Sequence, residues 1–201
     1  YLTTDSGPSR RANSMDYLIQ ADRHLFRLIN SEWSNPVMDA LSPFIRNSMT
    51  WVPFYLFLIL LIVTNFRQNR FWWVVFAAGT AILTNFVSSD LIKENIFRLR
   101  PCNDPSMAEH LRFLLNYKPQ SSSFTSSHAT NHFGLAMYLH QTLKGYIGRW
   151  TRAFFIWALV IIYAQVYVGV HFPLDVACGA GIGLLFGYLS ARSYNQQYGL
   201  S

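Results

Sequence analysis

Cysteine is nearly absent: Cys102 and Cys178 are the only two in 201 residues, too few for a disulfide framework or a cysteine-rich zinc site. Charge is scarce as well, at 13% of residues, where an ordinary soluble chain carries about a quarter. No repeat with a period of about 20–50 residues is visible, and the eight Pro and eleven Gly are too scattered for linkers, collagen or low complexity. What is abundant is apolar, 51% of residues, with 16 Phe, 11 Tyr and 6 Trp. That composition excludes disorder, and the length suits one domain.

The apolar residues fall in runs of membrane-spanning length. About 20 of them cross roughly 30 Å of hydrocarbon at a rise of about 1.5 Å each. Thr50–Phe66 is uncharged over 17 residues, Phe71–Ser89 over 19, Ala153–Leu174 over 22 and Val176–Ala191 over 16. Ala129–Leu143 is also uncharged but carries Asn131, His132, His140 and Gln141, so it spans only with those groups turned toward protein. The expected fold class is therefore all-α: a membrane helical bundle of five spans. The modest mean hydropathy of +0.16 reflects a long polar head and one long loop.

The head divides in two. Residues 1–14 lack an apolar period or the apolar core of a signal peptide, and are expected to be a tag remnant or a disordered tail, leaving 15–201 as a single membrane-embedded domain. From Met15 to Trp33 apolar residues alternate with Asp22, Arg23 and Arg27, as in an amphipathic helix at the membrane interface. A cap over the helix bundle reads equally well. Asn35-Pro36 breaks the chain, and Val37–Ile45 forms a short helix before the first span.

Charge sorting gives a topology. With five spans, the amino terminus, the Asp90–Ser127 loop and the turn at His171–Asp175 share one side, and all ten Asp and Glu fall there with ten Lys and Arg. The other side holds Arg67, Arg70, Lys144, Arg149, Arg152 and Arg192 and no acid, hence the whole net charge of +6. Short basic loops stay cytoplasmic, which puts the Asp90–Ser127 loop outside, once that long loop and the tail are left out of the count of basic residues.

Three polar clusters crowd the span ends on that side, where ionisable groups are costly without a task. In Lys93-Glu-Asn-Ile-Phe-Arg98-Leu-Arg100-Pro101, Lys93 and Arg100 stand seven apart and share a face if the helix persists to Pro101. Snorkelling cations at a helix end read the same way. In Ser121-Ser-Ser-Phe-Thr125-Ser126-Ser127-His128, hydroxyl residues cap a helix whose first-turn amides make an anion site, followed by a ring able to serve as acid or base. In Gly169-Val-His171-Phe-Pro173-Leu-Asp175, the carboxylate sits four residues from the ring, able to take its N–H and leave the other nitrogen as nucleophile. Asp175 is the only acid after Glu109.

Cations, a hydroxyl-rich helix start and two histidines, one paired with Asp, suit phosphoryl transfer, and no cofactor is called for. A metal set of His128, His132 and Asp175 is the competing reading; Lys93 and Arg100 nearby would repel a divalent ion. His24, His110 and His140 have no such company.

The three motifs, Lys-x6-Arg-Pro at Lys93–Pro101, Ser-x-His at Ser126–His128 and His-x3-Asp at His171–Asp175, in that order, resemble the signature of the type 2 phosphatidic acid phosphatase family, which includes soluble vanadium haloperoxidases. The resemblance implies a helical bundle in which His171 becomes a phosphohistidine, Asp175 orients it and His128 is the general acid. It also implies that Lys93, Arg100, Ser126 and the amide of Ser127 hold the phosphate. Two positions depart. Ser127 stands where the family has Gly, and Ala164-Gln165 where it has Ser-Arg. Gln165 is expected to give the phosphate a neutral hydrogen bond. Arg98 is the available substitute cation, if a break near Pro101 swings it inward.

The expected function is a membrane phosphatase of a lipid phosphate, with lipid phosphate and membrane lipid as partners and no nucleic acid. Resemblance suggests polyprenyl (di)phosphates, phosphatidylglycerophosphate, phosphatidic acid or lipid A phosphates as substrates, at the outer face of a cytoplasmic membrane. A lipid phosphotransferase and a non-catalytic lipid-phosphate binder are the alternatives. A small transporter fits less well, because Lys93 and Asp175 both lie at span ends. Cys102–Pro119 lies over the site, and its Met107, Leu111, Phe113, Leu114 and Leu115 either contact lipid or pack on the bundle.

Overall fold

The structure, a computed structural model, describes residues 14–200, so the expectation for residues 1–14 falls outside it except at Ser14, which opens the first helix. Among the described residues all regular structure is helical: α1 Ser14–Arg27, α2 Pro36–Ile45, α3 Val52–Asn65, α4 Arg70–Asn85, α5 Ser127–Ile147, α6 Ala153–Tyr167 and α7 Pro173–Gln197. Four continuous helical stretches are long and apolar enough to cross a membrane, the third running 41 residues from Ser127 to Tyr167. That stretch turns at Gly148, in a positive-φ conformation, through the 3-10 turn Gly148–Arg152, and α6 packs back on α5. The membrane helices are thus α3 to α7, matching the five apolar runs.

Both faces of the amphipathic head are in use. Phe26 of α1 is fully buried, with its ring 5.3 Å from that of Phe172, so the helix caps the bundle. Met15, Tyr17 and Leu18 stay exposed, an apolar face available to the membrane interface. Asn35 caps α2 by accepting the Met38 amide at 2.9 Å, and Pro36 suits its first turn.

The centre of the bundle is α5, flanked by α4, α6 and α7. Its closest neighbour is α7, for a reason written in the glycines. A Cβ on Gly183 would collide with the Thr130 carbonyl oxygen, and one on Gly187 with the carbonyl of Gly134. Small residues on facing stripes let two backbones touch where apolar side chains gain nothing over lipid tails. This contact brings the start of α5 beside the start of α7, so that the Ser126 amide donates to the Asp175 carbonyl at 3.2 Å. At the far end the interior is aromatic: Trp73 Nε1 donates to Thr142 Oγ1 at 3.0 Å and Tyr138 to the Trp73 carbonyl at 2.9 Å. Overpacking such a contact costs about 1–3 kcal/mol. Gly183→Ala is therefore expected to lower the melting temperature in detergent, whereas Gly181→Ala, which meets no atom within 4 Å, leaves it unchanged or raises it.

Two span ends differ from expectation. The uncharged run to Leu174 leaves the helix at Tyr167: Gly169 takes φ 88° and Pro173 starts α7, so His171 lies in a turn. The helix of the second span does not persist to Pro101 either. After α4 it passes through a π-helical segment, Phe86–Ile92, and ends in a turn; Arg100 is extended, at φ −74° and ψ 153°. Lys93 and Arg100 meet the same site because the chain doubles back, not because they share a helical face.

Candidate active site

His171, 2% exposed, sits where the turn after α6, the start of α7 and the segment before α5 converge. Arg100 Nη1 lies 3.1 Å from its Nε2. Arginine has only donors, so Nε2 accepts and the ring proton resides on Nδ1. Nδ1 in turn faces Ser123 Oγ at 3.4 Å and Asp175 Oδ2 at 3.8 Å, the latter longer than a hydrogen bond, as catalytic pairs without substrate often are. Burial above all, with the Arg100 charge working against Asp175, lowers the His171 pKa to about 4. Below that value the ring is protonated; at neutral pH it is uncharged, with the Nε2 lone pair directed at Arg100.

Asp175 is held from several directions. Its Oδ2 accepts from Ser123 Oγ at 2.5 Å and from the Phe172 amide at 2.9 Å, and its Oδ1 accepts from Arg98 Nη1 at 2.6 Å. The Phe172 bond doubles as a cap of α7. Arg98 bridges onward to Asp22 of α1 at 2.5 Å, and Asp22 accepts the Leu174 amide at 2.7 Å. The carboxylate keeps the expected partner His171 at 3.8 Å and adds Arg98 as a closer ion pair at 2.6 Å. Arg98 is accordingly taken, shared between two acids, and is not the substitute cation expected from the sequence.

Lys93 donates to Ser127 Oγ at 2.8 Å. Burial first and then the charge of Arg100 pull its pKa down to about 8. Arg100, 6% exposed, is fixed by four further acceptors: the Ser121 carbonyl and hydroxyl at 2.8 and 3.0 Å and the Ser122 and Val170 carbonyls, both at 3.2 Å. Ser126 caps α5, its Oγ accepting the Ala129 amide at 3.4 Å, which aims the first-turn amides of Ser127 and His128 outward with no intrahelical acceptor. The Ser127 hydroxyl also meets Ser88 and Ser89 at 3.1 and 2.8 Å, so the side chain standing in place of the family glycine has its own hydroxyl niche.

His128 is half-buried and lines a cavity of about 360 Å³ with Arg46, Leu114, Leu115 and Tyr117. The ring of His132 stacks on it, centroids 6.1 Å apart. His132 Nδ1 is 2.7 Å from the His128 carbonyl and its Nε2 3.2 Å from the Tyr55 hydroxyl, so both nitrogens are occupied. Among the described residues no three His, Cys, Asp or Glu side chains group as metal ligands. Gln165 is fully buried, and Arg46 holds both ends of its amide: Arg46 Nε donates to Oε1 at 3.2 Å and Nε2 donates to the Arg46 carbonyl at 3.4 Å. One N–H of the Gln165 amide is thus engaged by Arg46.

The loop over the site divides. Met107 and Leu111 pack with Phe26 and Phe172, whereas Leu114 and Leu115 face the His128 cavity. Asn30 pins the loop, donating to the Arg112 and Tyr167 carbonyls at 2.7 Å each, and Arg112 pairs with Asp39 at 2.5 Å. The bonds from Arg112 and Tyr167 hold the Asp39 carboxyl below its ordinary value.

Sequence reasoning missed Arg46, Ser123 and Asp22. Arg46 had a signal, a lone cation on the site's side just before the first span; Ser123 lay inside a run read as helix capping; Asp22 was an acid on an amphipathic face, where solvent is the ordinary partner.

A model of the PAP2 superfamily matches residues 71–198. The chain is 27% identical to a lipid A 4'-phosphatase of Porphyromonas gingivalis over 183 residues, 90% of this chain and 75% of that protein. It is 30% identical to an undecaprenyl-diphosphatase of Sulfolobus acidocaldarius over 175 residues, 84% of this chain and 76% of that protein. The crystal structure of Aquifex aeolicus LpxE superimposes with a TM-score of 0.63 at 27% identity, covering 85% of this chain and 94% of that one. A transmembrane PAP2-type phosphatidylglycerolphosphate phosphatase from Bacillus subtilis shares the fold at a TM-score of 0.63 and 20% identity, over 90% of this chain and 88% of the other. With more than half of the chain inside the family match and the three motif clusters folded into one site, the chain belongs to the PAP2 superfamily.

Proposed function

We propose that this protein is a membrane phosphatase that hydrolyses a lipid phosphate through a phosphohistidine on His171, with a lipid A phosphate as the first candidate substrate. The observation that carries the chemistry is the Arg100 to His171 Nε2 contact. It supports the reading because an unprotonated ring nitrogen stands 3.1 Å from a guanidinium able to bind phosphoryl oxygens. In the first step Nε2 bonds to phosphorus, the bond to the leaving oxygen breaks, and His128 gives that oxygen its proton. The Nδ1–H stays with Asp175 and Ser123. In the second step His128, now neutral, takes a proton from water; the hydroxide bonds to phosphorus, the P–N bond breaks and phosphate leaves. Lys93, Arg100 and the amides of Ser127 and His128 stabilise the charge on the equatorial oxygens. Ser126 acts by capping the helix that presents those amides.

The substrate reading is supported by relatives named as lipid A 4'-phosphatases from two bacteria. The motif clusters sit at the helix ends opposite those that carry Arg67, Arg70, Lys144, Arg149, Arg152 and Arg192, which supports an active site outside a cytoplasmic membrane. The test is phosphate release by purified protein from lipid A, polyprenyl diphosphate, phosphatidylglycerophosphate and phosphatidic acid. Lipid A turned over with the highest kcat/KM is expected; a diphosphate preferred by tenfold or more contradicts the substrate choice, and no release from any contradicts the enzyme.

Three ionisations set the pH profile, one of them the loss of the proton that His128 must carry as general acid. His171 is already neutral above about 4, so the acid limb follows the second ionisation of the substrate phosphate, near 6 for a monoester. Lys93 loses its proton as pH rises through about 8, and kcat/KM falls there. Lys93→Arg is expected to make the alkaline fall shallower, because guanidinium stays charged and only the His128 proton is then lost; an unchanged fall excludes Lys93 as a contributor.

A further inference from the structure

Position 165 lacks the arginine of the family motif, and the fold brings another arginine to it. Arg46 arrives from the end of α2, 119 residues away in sequence and outside all three motifs, and seats its Nε on Gln165 Oε1 at 3.2 Å. Gln165 Nε2 closes a second bond to the Arg46 carbonyl at 3.4 Å. The amide thus grips one residue at both its backbone and its side chain, and itself is anchored on α6, whose turn leads to His171: the Val170 amide donates to the Gln165 carbonyl at 3.3 Å.

Arg46 is 9% exposed, yet the ion pairs of the described residues join Arg23, Arg98, Arg112 and His171 to acids, and none includes Arg46. A guanidinium has five N–H donors in a planar fork. Its terminal nitrogens are not among the buried side-chain atoms without a partner, and the residue lines the cavity that also holds His128 and Tyr117. Its charge acts on both Arg100 and His128. With its Nε on Gln165, no acid paired to it and the residue lining a cavity, the guanidinium has donors left for an anion that enters there.

We propose that Arg46 is the phosphate-binding cation that replaces the arginine missing at position 165, and that Gln165 is a positioning residue that aims its guanidinium into the His128 cavity. The assignment rests on the lipid phosphatase reading, and it names the group that contacts phosphate together with the one that holds it. Gln165 acts through Arg46 and does not touch the phosphate.

The experiment compares wild type, Arg46→Met, Arg46→Lys, Gln165→Ala and the exchange Arg46→Gln/Gln165→Arg, each checked for a cooperative melt. Phosphate release from lipid phosphate and inhibition by vanadate are measured for each. Arg46→Met is expected to lose about 10²–10³ in kcat/KM, the usual effect of removing one preorganised donor, and to weaken vanadate inhibition at least roughly tenfold. Arg46→Lys keeps the charge but not the fork, and recovers part of both losses. Gln165→Ala is expected to lose about tenfold, and the exchange to restore kcat/KM to within about tenfold of wild type by presenting the cation from α6. Arg46→Met within about threefold of wild type on both readouts overturns the proposal, provided His171→Ala is inactive in the same assay. If wild type releases no phosphate from any lipid, the phosphatase reading fails separately. Binding of inorganic phosphate then decides: affinity lost in Arg46→Met supports the cation role, and equal affinity overturns it. If Arg46→Met does not fold, Arg46→Lys and the exchange decide by the same readouts.

Discussion

His171→Ala is expected to abolish turnover, with a fall in kcat on the order of 10⁴ or more, because the residue proposed to form the covalent bond cannot be replaced by positioning alone. The loss is chemical and not structural. His171 lies in a turn, its Nε2 faces Arg100, and the Asp175 carboxylate keeps its three other donors, Arg98, Ser123 and the Phe172 amide, when the ring is removed. The variant is therefore expected to melt close to wild type and to retain vanadate as a non-covalent ligand of Lys93 and Arg100, bound more weakly. Activity within tenfold of wild type excludes His171 as the nucleophile.

Asp175→Asn is expected to cost about 10³–10⁴ in kcat with little change in KM. An amide can present its NH2 to Nδ1, which moves the ring proton to Nε2, where it blocks both the Arg100 contact and the attack on phosphorus; loss of the correct tautomer has that scale elsewhere. Here the substitution also removes the ion pair with Arg98 at 2.6 Å, leaving Arg98 to Asp22. Charged hydrogen bonds are worth roughly 1.5–3 kcal/mol each, so the melting temperature drops as well. Arg98→Met is the control. It weakens the same anchor without changing the tautomer, so it lowers stability to a similar extent while kcat falls much less. Equal losses of kcat in the two variants would falsify the tautomer role.

How far the sequence could be read depended on the range of the interaction. The spans were legible because hydrocarbon imposes length and apolarity on each helix independently, and α3 to α7 fall on the five uncharged runs. Motif residues such as Lys93, Arg100 and His171 were legible because each carries chemistry that a span end rarely tolerates without purpose. The geometry between them was not. Lys93 and Arg100 were placed by helical spacing, whereas the chain leaves the helix and returns extended, a choice made by contacts of Arg98 and Arg100 with Ser121–Ser123. Spacing of four residues pairs Asp175 with His171, and the two do stand 3.8 Å apart, but Arg98, 77 residues away, adds a shorter bond at 2.6 Å. Nothing local marks such a pair. Gln165 was read alone, as a weak donor to phosphate, because its partner Arg46 lies outside every motif and meets it only through the packing of α2 on α6.

The proposed central step, a bond between His171 and phosphorus, is open to trapping. Protein mixed with a lipid phosphate carrying a radiolabelled phosphoryl group, quenched within milliseconds in base and digested, is expected to yield label on the peptide containing His171. That label is stable to alkali and lost in acid, as a phosphoramidate is, and is absent from His171→Ala. An acid-stable label on a serine, or full turnover in single-turnover experiments with no labelled peptide at any time, would contradict it.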